Sequence, residues 1–206
     1  MAPLKQALII ISYLIASLKC DSLESIEHIV IFMQENRAFD HYYGSMKGVR
    51  GFNDRASPLL PTGLDPFHQP VNGSFDDDAY MLPYYLSFNK TSATCMSAPT
   101  MAYYNDIKMY NGGKMDAWNT ARSPGFGMSS FNRTDLPFYY ALGDNFLVGD
   151  NYFQSTFTAT NPNRLHLFSG SNGLSVNSSY CILDDSEPSS GMNWITMGEI
   201  LQDAGI

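Results

Sequence analysis

The chain has 206 residues, 44% of them hydrophobic and 14% aromatic, which is enough to bury one core and too apolar for disorder. Twelve Lys and Arg stand against twenty Asp and Glu, a formal charge of -8. Such a chain repels phosphate backbones and anionic lipid at long range, which speaks against nucleic acid as a partner.

Residues 1–20 open with one positive charge, Lys5, followed by an apolar stretch from Ala7 to Leu18. That is the length of a signal-peptide core and falls short of the roughly 20 apolar residues that span a bilayer. The expected organisation is a signal peptide over 1–20 and one domain portion over 21–206, with the mature protein secreted and without a membrane span. Removing Lys5 and Lys19 leaves ten bases against twenty acids, a charge near -10. Four sequons agree with a secretory route and place Asn72, Asn89, Asn132 and Asn177 on exposed loops as glycosylation sites. Cys95 and Cys181 remain after cleavage, and the readings stand open: a disulfide between them, two separate buried thiols, or partners lost with a missing C-terminus.

The run Ile29-Val30-Ile31-Phe32-Met33 is continuous, apolar and rich in β-branching, the pattern of a strand covered on both faces. It ends in Gln34-Glu35-Asn36-Arg37, and α/β folds place their chemistry at the carboxyl ends of such strands. Residues 44–100 are rich in Gly, Pro, Asn, Asp and Ser and read as long loop with short elements; Asp76-Asp77-Asp78 reads as a solvated turn. A helix is expected over Tyr103 to Met109, ended by Asn111-Gly112-Gly113. A second is expected over 136–143 with Asp135 as its N-cap, then a short buried strand from Asn145 to Val148. Pro162 introduces a helix over Asn163 to Ser169, and Asn193 to Ala204 has helical apolar spacing with Gly205 at its end. In a βα-alternating fold a strand would come next, so the end of the chain reads as an interruption.

Two segments carry chemistry. Glu35 and Asn36 supply a carboxylate and an amide oxygen, hard donors of the kind a divalent cation takes. Thr160 precedes a helix start, where backbone N–H groups favour a phosphate or an alkoxide, and Arg164 can pair with phosphate oxygens as a fork. Asp40 and His41 read as a brace for the loop more than as an acid–base pair, and His166 as the packed side of a helix. Asp144 and Asp150 read as supporting groups or caps, and Asp184-Asp185 as a polar loop.

The pattern E-N-R-x-F-D-H-Y-x-G followed by T-x-P-N-R-x-x-x-x-S-G resembles the phosphoesterase family of bacterial phospholipases C, acid phosphatases and plant non-specific phospholipases C. Cys95-Met-Ser-Ala-Pro99, Gly113-Lys-Met-Asp-Ala-Trp118 and Phe146-Leu-Val-Gly-Asp150 look most like its fungal branch. The resemblance implies an α/β, alkaline-phosphatase-like central sheet with helices on both faces, incomplete at the C-terminus. It implies a divalent metal ion held by Glu35, Asn36 and Thr160, with Thr160 as nucleophile and Arg164 and Asn163 as substrate-binding residues. The implied activity is hydrolysis of phosphoric esters, either phospholipid headgroups or phosphomonoesters. The alternative is a truncated, catalytically silent secreted glycoprotein. Two departures stand out: the family's later Asp pair and phosphate-side histidines have no counterpart up to position 206, and Ala98-Pro99-Thr100-Met101 lacks a histidine many relatives carry.

Overall fold

The computed structural model describes residues 23–60, 62–71, 79–96, 100–121, 126–173, 181–186, 189 and 191–206. The expected signal segment, Cys20, Asn72, Asp76-Asp77-Asp78 and Asn177 lie outside the described residues. The chain divides into two units, 1–36 and 37–206.

Among the described residues of the first unit, a 3-10 turn, Leu23–Ser25, is followed by chain without a ladder. The expected strand over 29–33 does not form: Ile29, Val30, Ile31 and Phe32 are 68 to 91% exposed. An apolar run becomes a buried strand only where other strands offer their N–H and C=O groups, and among the described residues none pairs with it.

Among the described residues the second unit holds six α-helices: α1 Phe39–Tyr43, α2 Tyr103–Tyr110, α3 Trp118–Ala121, α4 Pro137–Asn145, α5 Thr160–Ser169 and α6 Met197–Asp203. Its strands are two residues each. Gln69–Pro70 (β1) pairs antiparallel with Tyr80–Met81 (β2), and Tyr84–Tyr85 (β3) pairs parallel with Ser129–Ser130 (β4). The mixture suits an α/β fold, but the described residues contain these two ladders in place of the expected central sheet.

The core forms where α1, α4 and the β3–β4 ladder meet. Leu86, Ala93, Phe131, Leu136 and Tyr140 are buried, with Tyr42, Tyr43, Met46, Phe88 and Tyr139 packed around them. Rings meet edge to face, Phe88 on Phe131 at 4.5 Å and Tyr42 on Tyr139 at 4.9 Å between centroids, a geometry that adds to area burial. Gly44, the residue after α1, has no room for a side chain: a Cβ there would lie 2.5 Å from both the Asp40 carbonyl and the Phe52 ring.

Helix starts and stops mostly follow the sequence signals. α2 ends on Asn111, which adopts the left-handed conformation at φ 44°. α5 ends on left-handed Gly170. α6 starts later than expected, at a capping box in which Thr196 accepts from the Glu199 N–H and Glu199 accepts from Thr196. Two expectations fail around α4. Asp135 is not its cap: its carboxylate accepts from the Asn132 N–H at 3.1 Å and from the Tyr85 hydroxyl, and Leu136 occupies the N-cap position. The strand expected from Asn145 to Val148 is replaced by the helix end at Asn145 and an open segment in which Leu147 is 99% exposed. A run of three or four apolar residues fits a helix end as well as a strand, and the N–H of Phe146 is taken by Leu142 of the helix.

Candidate active site

The loop 155–159 and the first turn of α5 are built around one side chain. Asn163 is 9% exposed. Its Oδ1 accepts from the Ser155 N–H at 3.0 Å and the Thr156 N–H at 3.2 Å. Its Nδ2 donates to the carbonyls of Thr156, Thr158 and Ala159 and to the Thr158 hydroxyl, at 3.0 to 3.3 Å. These contacts make Asn163 a brace for the loop that leads into Thr160, and its expected part in substrate binding stands as a proposal. Pro162 is fully buried in the same turn and gives up no hydrogen bond there, since first-turn N–H groups have no helical partner.

Thr160 is half-buried as the first residue of α5, and Arg164 follows one helical turn later on the same face. A hydroxyl-bearing and a guanidinium-bearing residue thereby share one face near a positive helix end. The sequence reading missed what lies against them. The Asp185 carboxylate accepts from the Asn161 N–H at 2.8 Å, and the Asn161 amide donates to the Asp185 carbonyl at 3.2 Å. A carboxylate thus caps the helix end, the place where an anion is favoured. Nothing local signals this partner, which lies 24 residues away.

Glu35 and Asn36 are exposed at the end of the first unit, whereas Thr160, Asn163 and Arg164 belong to the second. Among the described residues no group of three His, Cys, Asp or Glu could hold a metal ion. Glu35, Asn36 and the Thr160 hydroxyl are the right kind of donor for a hard cation but number three, where such an ion takes six or more.

Of the two residues expected to brace the segment after Asn36, His41 does so and the buried Asp40 Oδ1 has no hydrogen-bond partner. His41 is clipped to β4 and to the residue after it: its Nδ1 donates to the Ser129 carbonyl at 2.7 Å, and its carbonyl accepts from the Phe131 N–H at 2.8 Å. Burial pulls its proton affinity below the ordinary histidine value, the Ser129 contact opposes this, and the Arg37 charge adds to it. Asp40 is pushed up to about 6 by burial, and its Oδ1 is buried with no hydrogen-bond partner.

Other anticipated residues have structural tasks. Asp144 takes the Arg133 guanidinium as a fork, which holds its carboxyl below the usual range. Asp150 Oδ2 accepts from the Arg50 N–H at 2.8 Å and ties the loop at 50 to residue 150. His166 is half-buried on α5, and its neighbours Leu167 and Phe168 are exposed. Cys95 is exposed and Cys181 half-buried, both as free thiols, so the disulfide is not formed here. Of the described sequons, Asn89 is exposed in a turn, and Asn132 is half-buried with its Oδ1 accepting from the Thr134 N–H at 2.8 Å. No helix among the described residues is long and apolar enough to cross a membrane.

Comparison with known proteins gives a consistent set of relatives. The non-hemolytic phospholipase C of Pseudomonas aeruginosa is 37% identical over 193 residues, covering 90% of this chain and 27% of that protein. Phospholipase C B of Mycobacterium tuberculosis is 34% identical over 203 residues, 89% of this chain and 37% of that protein. Non-specific phospholipase C3 of Arabidopsis thaliana is 31% identical over 172 residues, 76% of this chain and 32% of that protein. The chain thus spans between 27% and 37% of the length of these relatives. The family model described as "Phosphoesterase family" matches residues 26–206, taking in both motif segments, and the chain belongs to that family.

Proposed function

We propose that this protein is a secreted hydrolase of phosphoric esters in which Thr160 is the nucleophile. The observation that carries the reading is that Thr160 and Arg164 stand four residues apart in the first turns of a braced helix, in a chain whose relatives are named as phospholipases C. The Thr160 oxygen attacks phosphorus, its proton passes to water, and the P–O bond to the departing alcohol breaks as that alcohol takes up a proton. Water then attacks the phosphothreonine, returning the hydroxyl and releasing phosphate or a phosphomonoester. Arg164 neutralises charge on the phosphoryl oxygens, and the first-turn N–H groups of α5 other than that of Asn161, which Asp185 takes, favour the anion.

Metal dependence belongs to the proposal as well. Glu35, Asn36 and Thr160 would supply three oxygens, and water or further donors would fill the remaining positions.

A second reading, a catalytically silent family member, is favoured by the lack of a metal-binding cluster among the described residues. One assay separates the two. The mature chain is supplied with a divalent cation and given a chromogenic phosphate ester or phosphatidylcholine. The hydrolase reading expects turnover that falls by roughly a thousandfold or more in Thr160→Ala. Absence of turnover in the wild type, with cation bound, supports the silent reading.

A further inference from the structure

Arg37 is exposed, and no carboxylate lies within ion-pair distance of it among the described residues. This is unexpected in a chain with twenty acids and twelve bases. Its Nη1 has two neighbours, His41 Nε2 at 3.3 Å and Met96 Sδ at 3.7 Å, and both are neutral acceptors. The state of His41 follows from its other nitrogen. Nδ1 lies 2.7 Å from the Ser129 carbonyl oxygen, which can only accept, so Nδ1 carries the hydrogen. In the neutral ring Nε2 is then bare and accepts from Arg37. Burial, which lowers the proton affinity of His41, agrees with that state.

The ring is rooted in the core. It packs edge to face on Phe131 at 4.4 Å, and Phe131 is 3% exposed. Asp40, three residues beyond Arg37, makes no ion pair with it, and its raised proton affinity comes from burial alone. Arg37 is therefore held from one side without losing its charge. Its Nη2 and Nε have no acceptor among the described residues. A guanidinium presents that edge to a planar or tetrahedral anion as two parallel donors. Tethering a long side chain costs rotamer freedom, and here no neighbouring carboxylate offsets it.

We infer that Arg37 receives the oxygens of a phosphate group on its open edge, with His41 as the positioning residue that fixes the guanidinium. The choice of phosphate rests on the phosphoesterase reading; the site itself rests on the Arg37–His41–Ser129 chain. The phosphate can be free or part of a lipid headgroup.

The test is binding of inorganic phosphate to the full chain by calorimetric titration, with co-sedimentation on phosphatidylcholine vesicles as a second arm. Arg37→Gln is expected to weaken phosphate binding roughly ten- to a hundredfold with the melting temperature unchanged, since a charged hydrogen-bonded pair is lost from the surface. Arg37→Lys keeps the charge but not the fork and should fall between. His41→Phe keeps the ring packing and removes the acceptor, so it should weaken binding severalfold. His41→Gln restores an acceptor and should recover most of it. Loss confined to vesicles identifies a lipid headgroup as the ligand, and loss confined to the titration identifies free phosphate.

Equal phosphate affinity in wild type and Arg37→Gln overturns the inference, as does a wild type that binds in neither arm. If His41→Phe fails to fold, the comparison of His41→Gln with Arg37→Gln decides: affinity as poor in the former as in the latter removes His41 from the role. Phosphate binding through Arg37 without ester turnover leaves the inference standing and sinks the hydrolase reading alone.

Discussion

Residues 29–36, which lead into the first motif and end on its Glu35 and Asn36, and residues 155–170, which contain the second, fold differently. The first is an apolar run with exposed side chains and no ladder among the described residues. The second is a loop and helix in which one buried asparagine serves five neighbouring backbone groups. The difference is one of range. The partners of Asn163 lie four to eight residues away, so ordering them closes a short loop at small entropic cost. A strand needs partners from distant parts of the chain before any of its burial is gained.

That contrast can be broken at three points. The largest effect is expected at Asn163→Ala, which strips the brace and leaves several buried backbone groups unpaired, costing about 3 kcal/mol or more in urea unfolding. A change under about 0.5 kcal/mol would show that the loop holds without it.

The next effect is electrostatic. Asp40 is raised from 3.8 to about 6, so the folded chain keeps a proton that the unfolded chain has already released in that window. Its contribution is fully present below pH 4 and is lost as pH rises through about 6. Asp40→Asn should flatten the pH dependence of melting between those values. An unchanged slope would mean that the carboxyl is solvated.

The smallest effect is expected at Ile31→Lys. A side chain 68% exposed loses little burial, so stability should shift by less than about 0.5 kcal/mol. A loss of several kcal/mol would mean that the run is covered in solution.

How much was legible follows the same division. The ends of α2 and α5, at Asn111 and Gly170, are written in neighbouring residues. So are the short elements in the loop-rich stretch after residue 44. Asp135 was misread as a cap because its competing partners, the Asn132 N–H and the Tyr85 hydroxyl, outweigh a first-turn N–H. Asp185 at the head of α5 and Ser129 beneath His41 are invisible in sequence because they arrive from 24 and 88 residues away. Asn163 was legible as an important residue but not as a brace: an amide beside an arginine in a helix start fits a ligand contact equally well until its six hydrogen bonds are seen.

The central claim is that Thr160 carries the phosphoryl group. The most direct measurement is mass analysis of the peptide containing Thr160, taken after the mature chain is mixed with a chromogenic phosphate ester and quenched in acid. A phosphoryl group on Thr160, absent when Thr160→Ala is treated in the same way, is the predicted result. Ester turnover that continues undiminished in Thr160→Ala, with no modified threonine in the wild type, would contradict it.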